Sequence, residues 1–225
     1  MRWLAYKVHA SKKKKASTAA ISRNHVIEVT DTGLVSLMGG KWTSFRSQGE
    51  ETVDRILKDG NDRFKETLKN EKGQTLNFNL IGSYSRAQLR DGFVQNPTAV
   101  FQQYEDFLVF EQDVPRDIAK HLIRQYGTAC LRVVEIGKIR GSMARLHEDY
   151  AFIEAEVLYS VQSEMAVKLN DVICRRVPVS FIDQVATQEI ILPKVAEIMA
   201  KELKWTEDRK NKEIKDAKLG LPSMK

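Results

Sequence analysis

The residues best placed to do chemistry are Gly39-Gly40-Lys41-Trp42-Thr43-Ser44. Two glycines let a ligand or another stretch of backbone approach closely. A helix expected just after them presents unpaired N–H groups and the positive end of its dipole, which favours phosphate or another anion. Lys41 adds a point charge at the same place. The stretch is not a Walker A loop, because Trp42 follows the lysine and Val35 stands where the first glycine is required. Residue chemistry leaves two readings open, an anion or cofactor contact and a plain glycine turn with an exposed lysine.

Other residue types offer less. His9, His25, His121 and His147 show no metal-ligand spacing. His121 reads as a structural helix residue, while His25 heads a strand beside Arg23. Glu154 and Glu156, two apart on a helix, point to different faces and do not form an acid/base pair. Cys130 and Cys174 make no C-x-x-C pair and read as buried, reduced thiols. The chain has no G-x-S-x-G, H-E-x-x-H, EF-hand or G-x-G-x-x-G motif.

The elements that must position the glycine stretch are short. His25 to Thr30 alternates and is rich in β-branched residues, Asp31-Thr32-Gly33 supplies a turn, and Leu34 to Met38 returns as a second strand. Ser47 with Glu50 fits a capping box for a helix to Lys58 with Val53, Ile56 and Leu57 inward. A two-stranded hairpin with one helix is marginal in water, so this piece needs another layer to complete it. Residues 59–78 read as a polar connector. Beyond Asn79 the periodicity is helical. Pro97 opens one segment, and Asp113 with Pro115 caps the next, which has Ile118, Leu122 and Tyr126 on one face and is broken by Gly127. Ala129, Val133 and Ile136 mark another helix; Tyr150 to Ser163 and Ala166 to Arg175 supply two more. A long helix from Gln184 to Lys204, with Val185, Leu192, Val195, Met199 and Leu203 at helical spacing, is interrupted by Pro193. Thr206 caps a charged final helix, Glu207 to Lys218. The expected fold is α+β: an incomplete N-terminal piece, then an all-α domain of five to seven helices.

Charge is concentrated at one end. The chain carries 36 basic and 30 acidic residues for a net charge of +6, and six of the basic residues lie in positions 1–15 with no acid among them. The remainder is neutral, which argues against a nucleic-acid partner, since such a partner calls for a basic stripe on a folded face. The acid-free first 27 residues fit either a mitochondrial targeting segment or a solvated lysine run. No uncharged apolar run approaches the roughly 20 residues a bilayer span needs.

The motifs taken together resemble a known family. Ile21-Ser22-Arg23-Asn24-His25-Val26-Ile27, Thr32-Gly33-Leu34-Val35 and Gly39-Gly40-Lys41-Trp42-Thr43-Ser44-Phe45-Arg46 are similar to FAD-dependent glycerol-3-phosphate dehydrogenase. So are Gln125-Tyr126-Gly127, Tyr150 to Val157, Asp171 to Arg176 and Leu203-Lys204-Trp205. This is the membrane-associated, quinone-reducing flavoenzyme of mitochondria and bacteria, and the likeness runs from Ala20 to about Leu219.

The resemblance implies a C-terminal portion: a basic segment at 1–19, the end of an FAD-binding domain at 20–58, a linker at 59–78 and a helical domain at 79–225. It implies that Lys41 attracts the anionic substrate or reduced flavin, and that Gly39, Gly40, Trp42 and Thr43 contact the isoalloxazine. Lys7 stands where the family carries a phosphate-gripping arginine, an exchange that forfeits the bidentate fork. The implied reaction takes glycerol 3-phosphate to dihydroxyacetone phosphate with electrons passed to quinone, at the mitochondrial inner membrane. FAD is expected only with an N-terminal half, whose strand and G-x-G-x-x-G loop this sequence lacks. A partner chain or a homo-oligomer could supply the missing layers. The competing expectation is a non-catalytic structural or interaction protein that retains the helical domain.

Overall fold

The computed structural model describes residues 24–59, 73, 75–83 and 97–221. The chain divides into two compact units, Met1–Phe78 and Asn79–Lys225. Lys7, His9, the Lys12–Lys15 run, Ile21–Arg23 and most of the 59–78 connector lie outside the described residues. The fold is α+β, with a two-stranded antiparallel sheet in the first unit and helices in the second.

In the first unit β1 (His25–Val29) pairs with β2 (Val35–Gly39) in a register that sets His25 opposite Gly39 and Val29 opposite Val35. The turn is tied by Gly33 N–H to Thr30 O at 2.8 Å and by Leu34 N–H to the Thr30 hydroxyl at 3.0 Å. A 3-10 turn, Trp42–Ser44, leads into α1 (Phe45–Asp59). The expected capping box does not form, because the helix starts two residues before Ser47. Ser47 lies inside it and donates to Glu51 Oε1 at 2.8 Å, while Glu50 takes Arg46 and Thr75. Val53 is half exposed rather than inward, and among the described residues of this unit no apolar side chain is buried. Two strands and one helix offer too little surface to cover one another.

The second unit has two apolar cores. The segment α2 (Pro97–Asp106) runs into a π-helical turn, Phe107–Glu111. Next come α3 (Arg116–Tyr126), ended by Gly127, and α4 (Cys130–Arg140). Leu108, Ile118, Leu122, Val133 and Ile136 form the first core around them, as the 3.6-residue spacing requires. Asp113 does not cap α3. It sits at φ 53°, and Pro115 takes the N-cap position with no side-chain cap bond. The next helix, α5 (Glu154–Glu164), starts four residues later than Tyr150, because extended Ile153 pairs with Arg145 and Phe152 O accepts from Leu146 N–H at 2.9 Å. This helix serves both cores, with Ala155 and Leu158 in the first and Val157 in the second.

The rest of the second core comes from Leu169–Asp171 with its π-helical continuation Val172–Arg176, from α6 (Leu192–Leu203) and from α7 (Glu207–Gly220). Pro193 does not split the long segment. A short turn Gln184–Ala186 and a π-helical turn Thr187–Ile191 run into α6 without a gap, with the proline in the first turn of α6. Val185, outside α6, is exposed. Thr206 caps α7 by accepting from Arg209 N–H at 3.2 Å. Cys130 is buried but Cys174 is only half-buried, and both are free thiols. Burial pushes the Cys130 thiol up to about 11. Among the described residues no helix is long and apolar enough to cross a membrane.

Candidate functional site

The glycine stretch folds as one turn between β2 and α1, and it brings together Gly39, Gly40, Lys41, Trp42 and Thr43. Gly39 and Gly40 sit at φ 73° and 84°, a region that L side chains rarely adopt. Space is short at Gly40 as well: a Cβ there would lie 2.8 Å from Gln48 Nε2 and 3.0 Å from His25 Cβ. The pair therefore reverses the chain directly against the first strand and the helix.

The turn is fixed through the carbonyl of Lys41. It accepts from Ser44 N–H at 3.1 Å, from the Ser44 hydroxyl at 2.9 Å and from Gln48 Nε2 at 2.6 Å. Gln48 also donates to Ser44 Oγ at 2.8 Å and is the one residue of this unit, among those described, that is buried. Nothing in the local spacing singled out Gln48. Its signal was its place two helical turns from Lys41, which the supposed cap at Ser47 obscured.

Backbone of Lys41 is thus held while its side chain is exposed, as are those of Trp42 and Thr43; the Trp42 indole is 90% exposed. The first turn of α1 contains no acid to offset its positive end. A cation, a helix start with no acid in its first turn and an uncovered indole suit a flat group with an anionic edge. Behind the turn His25 Nε2 lies 2.8 Å from Glu51 Oε2. The Ser47 hydroxyl, then His25, hold the Glu51 carboxyl below the usual range. Lys7 lies outside the described residues, so it is not placed with the others.

A second polar cluster lies in the helical unit. Glu156 is fully buried; its Oε1 accepts from Ile153 N–H at 2.9 Å, and its Oε2 accepts from the Tyr126 hydroxyl at 3.0 Å and lies 2.9 Å from His121 Nε2. Burial, reinforced by Glu156, pushes the Tyr126 phenol upward, so it stays a donor. Glu154 is on another face, as its spacing from Glu156 required. Among the described residues no group of His, Cys, Asp and Glu could hold a metal ion.

Known proteins resemble this chain in sequence and in fold. The family model described as the C-terminal domain of alpha-glycerophosphate oxidase matches residues 73–210. A probable mitochondrial glycerol-3-phosphate dehydrogenase of Dictyostelium discoideum is 35% identical over 211 residues, which cover 93% of this chain and 30% of that protein. The mitochondrial glycerol-3-phosphate dehydrogenase of Rattus norvegicus is 33% identical over 220 residues, covering 96% of this chain and 27% of that one. The chain therefore spans less than a third of the length of these relatives. The solved glycerol-3-phosphate dehydrogenase from Bacillus halodurans, complexed with FAD, shares the fold with a TM-score of 0.65 at 23% identity, over 87% of this chain and 36% of that chain.

Proposed function

The chain belongs to the family of the C-terminal domain of alpha-glycerophosphate oxidase, and from that premise we propose that it works as the C-terminal part of a flavin-dependent glycerol-3-phosphate dehydrogenase. The observation that carries the proposal is the positive-φ glycine pair that sets Lys41, Trp42 and Thr43 exposed at an uncompensated helix start. When bound, FAD supplies the two-electron acceptor for oxidation of glycerol 3-phosphate to dihydroxyacetone phosphate, and the electrons pass on to quinone.

Each residue of the turn has a part in this reading. Gly39 and Gly40 let the backbone lie close to the isoalloxazine, Thr43 offers a hydroxyl, and Trp42 gains a cover for its indole. Lys41 places positive charge beside the anionic substrate or reduced flavin. Lys7 adds a point charge for the substrate phosphate. Because the 225 residues contain no G-x-G-x-x-G loop, the pyrophosphate is held by a further, N-terminal part of the enzyme. The working protein is mitochondrial and meets the inner-membrane surface without a span from the described residues.

The test is Lys41→Met in the complete flavoprotein that carries this sequence. A hydrogen bond to a charged group is worth about 1.5–3 kcal/mol. The variant should therefore lose on the order of 10- to 100-fold in kcat/KM for glycerol 3-phosphate. Its flavin content should stay unchanged. Unaltered kcat/KM overturns the assignment of Lys41.

A further inference from the structure

Independent of the flavin reading, the helical unit holds a cleft of about 430 Å³ with no part in the chemistry above. The volume is in the range of small-molecule sites, which are mostly apolar with a few convergent polar groups. Two glycines build its inner end. A Cβ on Gly82 would lie 2.2 Å from Tyr126 O, and one on Gly127 would lie 2.1 Å from Gly82 O. Thr128 N–H holds that contact by donating to Gly82 O at 2.9 Å.

The walls are aromatic, with Tyr126 and Tyr159 packed edge to face at a centroid distance of 5.2 Å. Leu80 and Ile81 present exposed apolar surface at the mouth. The polar groups are Arg176, at the end of the π-helical turn Val172–Arg176, and Glu164, at the end of α5. The Arg176 guanidinium lies 4.8 Å over the Tyr126 ring, and one terminal nitrogen pairs with Glu164. Its buried Nε–H has no partner among the described residues.

The charges select among ligands. Arg176 and Glu164 cancel, so an anion meets the carboxylate and a cation meets the guanidinium; neither gains what an unopposed charge would give it. A neutral molecule with a carbonyl beside an N–H satisfies both: its oxygen accepts from the guanidinium and its N–H donates to Glu164. A flat ring also suits the aromatic walls.

We propose that this cleft binds a neutral, planar amide or lactam, with its amide edge on the Arg176–Glu164 pair and its ring between Tyr159 and the Leu80–Ile81 mouth. Uracil is a suitable probe, titrated into the 15N-labelled 225-residue chain, with benzoate and benzylamine as charged controls of similar size. Saturable shifts of the Gly127, Thr128 and Ser163 amides with uracil, with both controls at least about tenfold weaker, support the proposal. Glu164→Gln should weaken uracil binding about tenfold. Ser163→Tyr, which fills the exposed rim and removes no buried group, should abolish it. If Glu164→Gln loses its folded spectrum, Ser163→Tyr alone decides. Absence of saturable shifts, benzoate binding as tightly as uracil, or unweakened binding to folded variants overturns the proposal.

Discussion

The hairpin–helix unit and the helical unit are held together by different means. In the first, no described apolar side chain is buried, and order comes from polar ties: three donors on the Lys41 carbonyl, Glu51 between Ser47 and His25, and Glu50 between Arg46 and Thr75. In the second, two apolar cores share α5, and the fully buried Glu156 is satisfied by three partners. Burial of apolar area is the larger stabilising term, whereas a net hydrogen bond contributes only about 1 kcal/mol. The helical unit should therefore be self-sufficient, and the hairpin–helix should depend on whatever covers it.

The strongest way to break this contrast is Leu122→Ala. Leu122 is fully buried, and truncation there should cost about 2–5 kcal/mol in urea unfolding. Next comes Gly127→Ala, which combines φ 57° with the 2.1 Å approach to Gly82 O and should cost about 1–3 kcal/mol or more. Smaller still is an acid effect at α3. The Arg145 guanidinium, 2.6 Å away, holds Asp117 below its ordinary value. A depressed folded pKa contributes stability above the unfolded value near 3.9 and loses it as pH falls through the folded value. Stability of the helical unit should thus decline below about pH 4, and Arg145→Gln should remove that part of the decline. The smallest effect is expected for Val53→Ala on the half-exposed face of α1, within about 0.5 kcal/mol. A loss comparable to that of Leu122→Ala would show that α1 packs into a core after all.

Sequence reading reached the features with local causes. Gly39-Gly40 and the cap at Thr206 each follow from one residue type meeting one backbone need, and both are present. What it missed depends on distant partners. Glu156 caps the local Ile153 N–H, but its partners His121 and Tyr126, 35 and 30 residues away, are ones that its spacing does not show. Ser47 has the spacing of a cap, yet the 3-10 turn Trp42–Ser44 starts the helix earlier and gives the Lys41 carbonyl to Gln48. Likewise α5 begins late because Ile153 is taken by Arg145, a pairing that helical periodicity does not register. The turn that carries Lys41 was legible; the residues that hold it were not.

The most direct test of the proposed function is the native protein itself. Capture from mitochondrial extract with an antibody to α7 should be followed by measurement of polypeptide mass, bound flavin and glycerol 3-phosphate-dependent quinone reduction. The account predicts a polypeptide of about three times 25.7 kDa that carries FAD and reduces quinone. A 25.7 kDa species with neither flavin nor activity would contradict it.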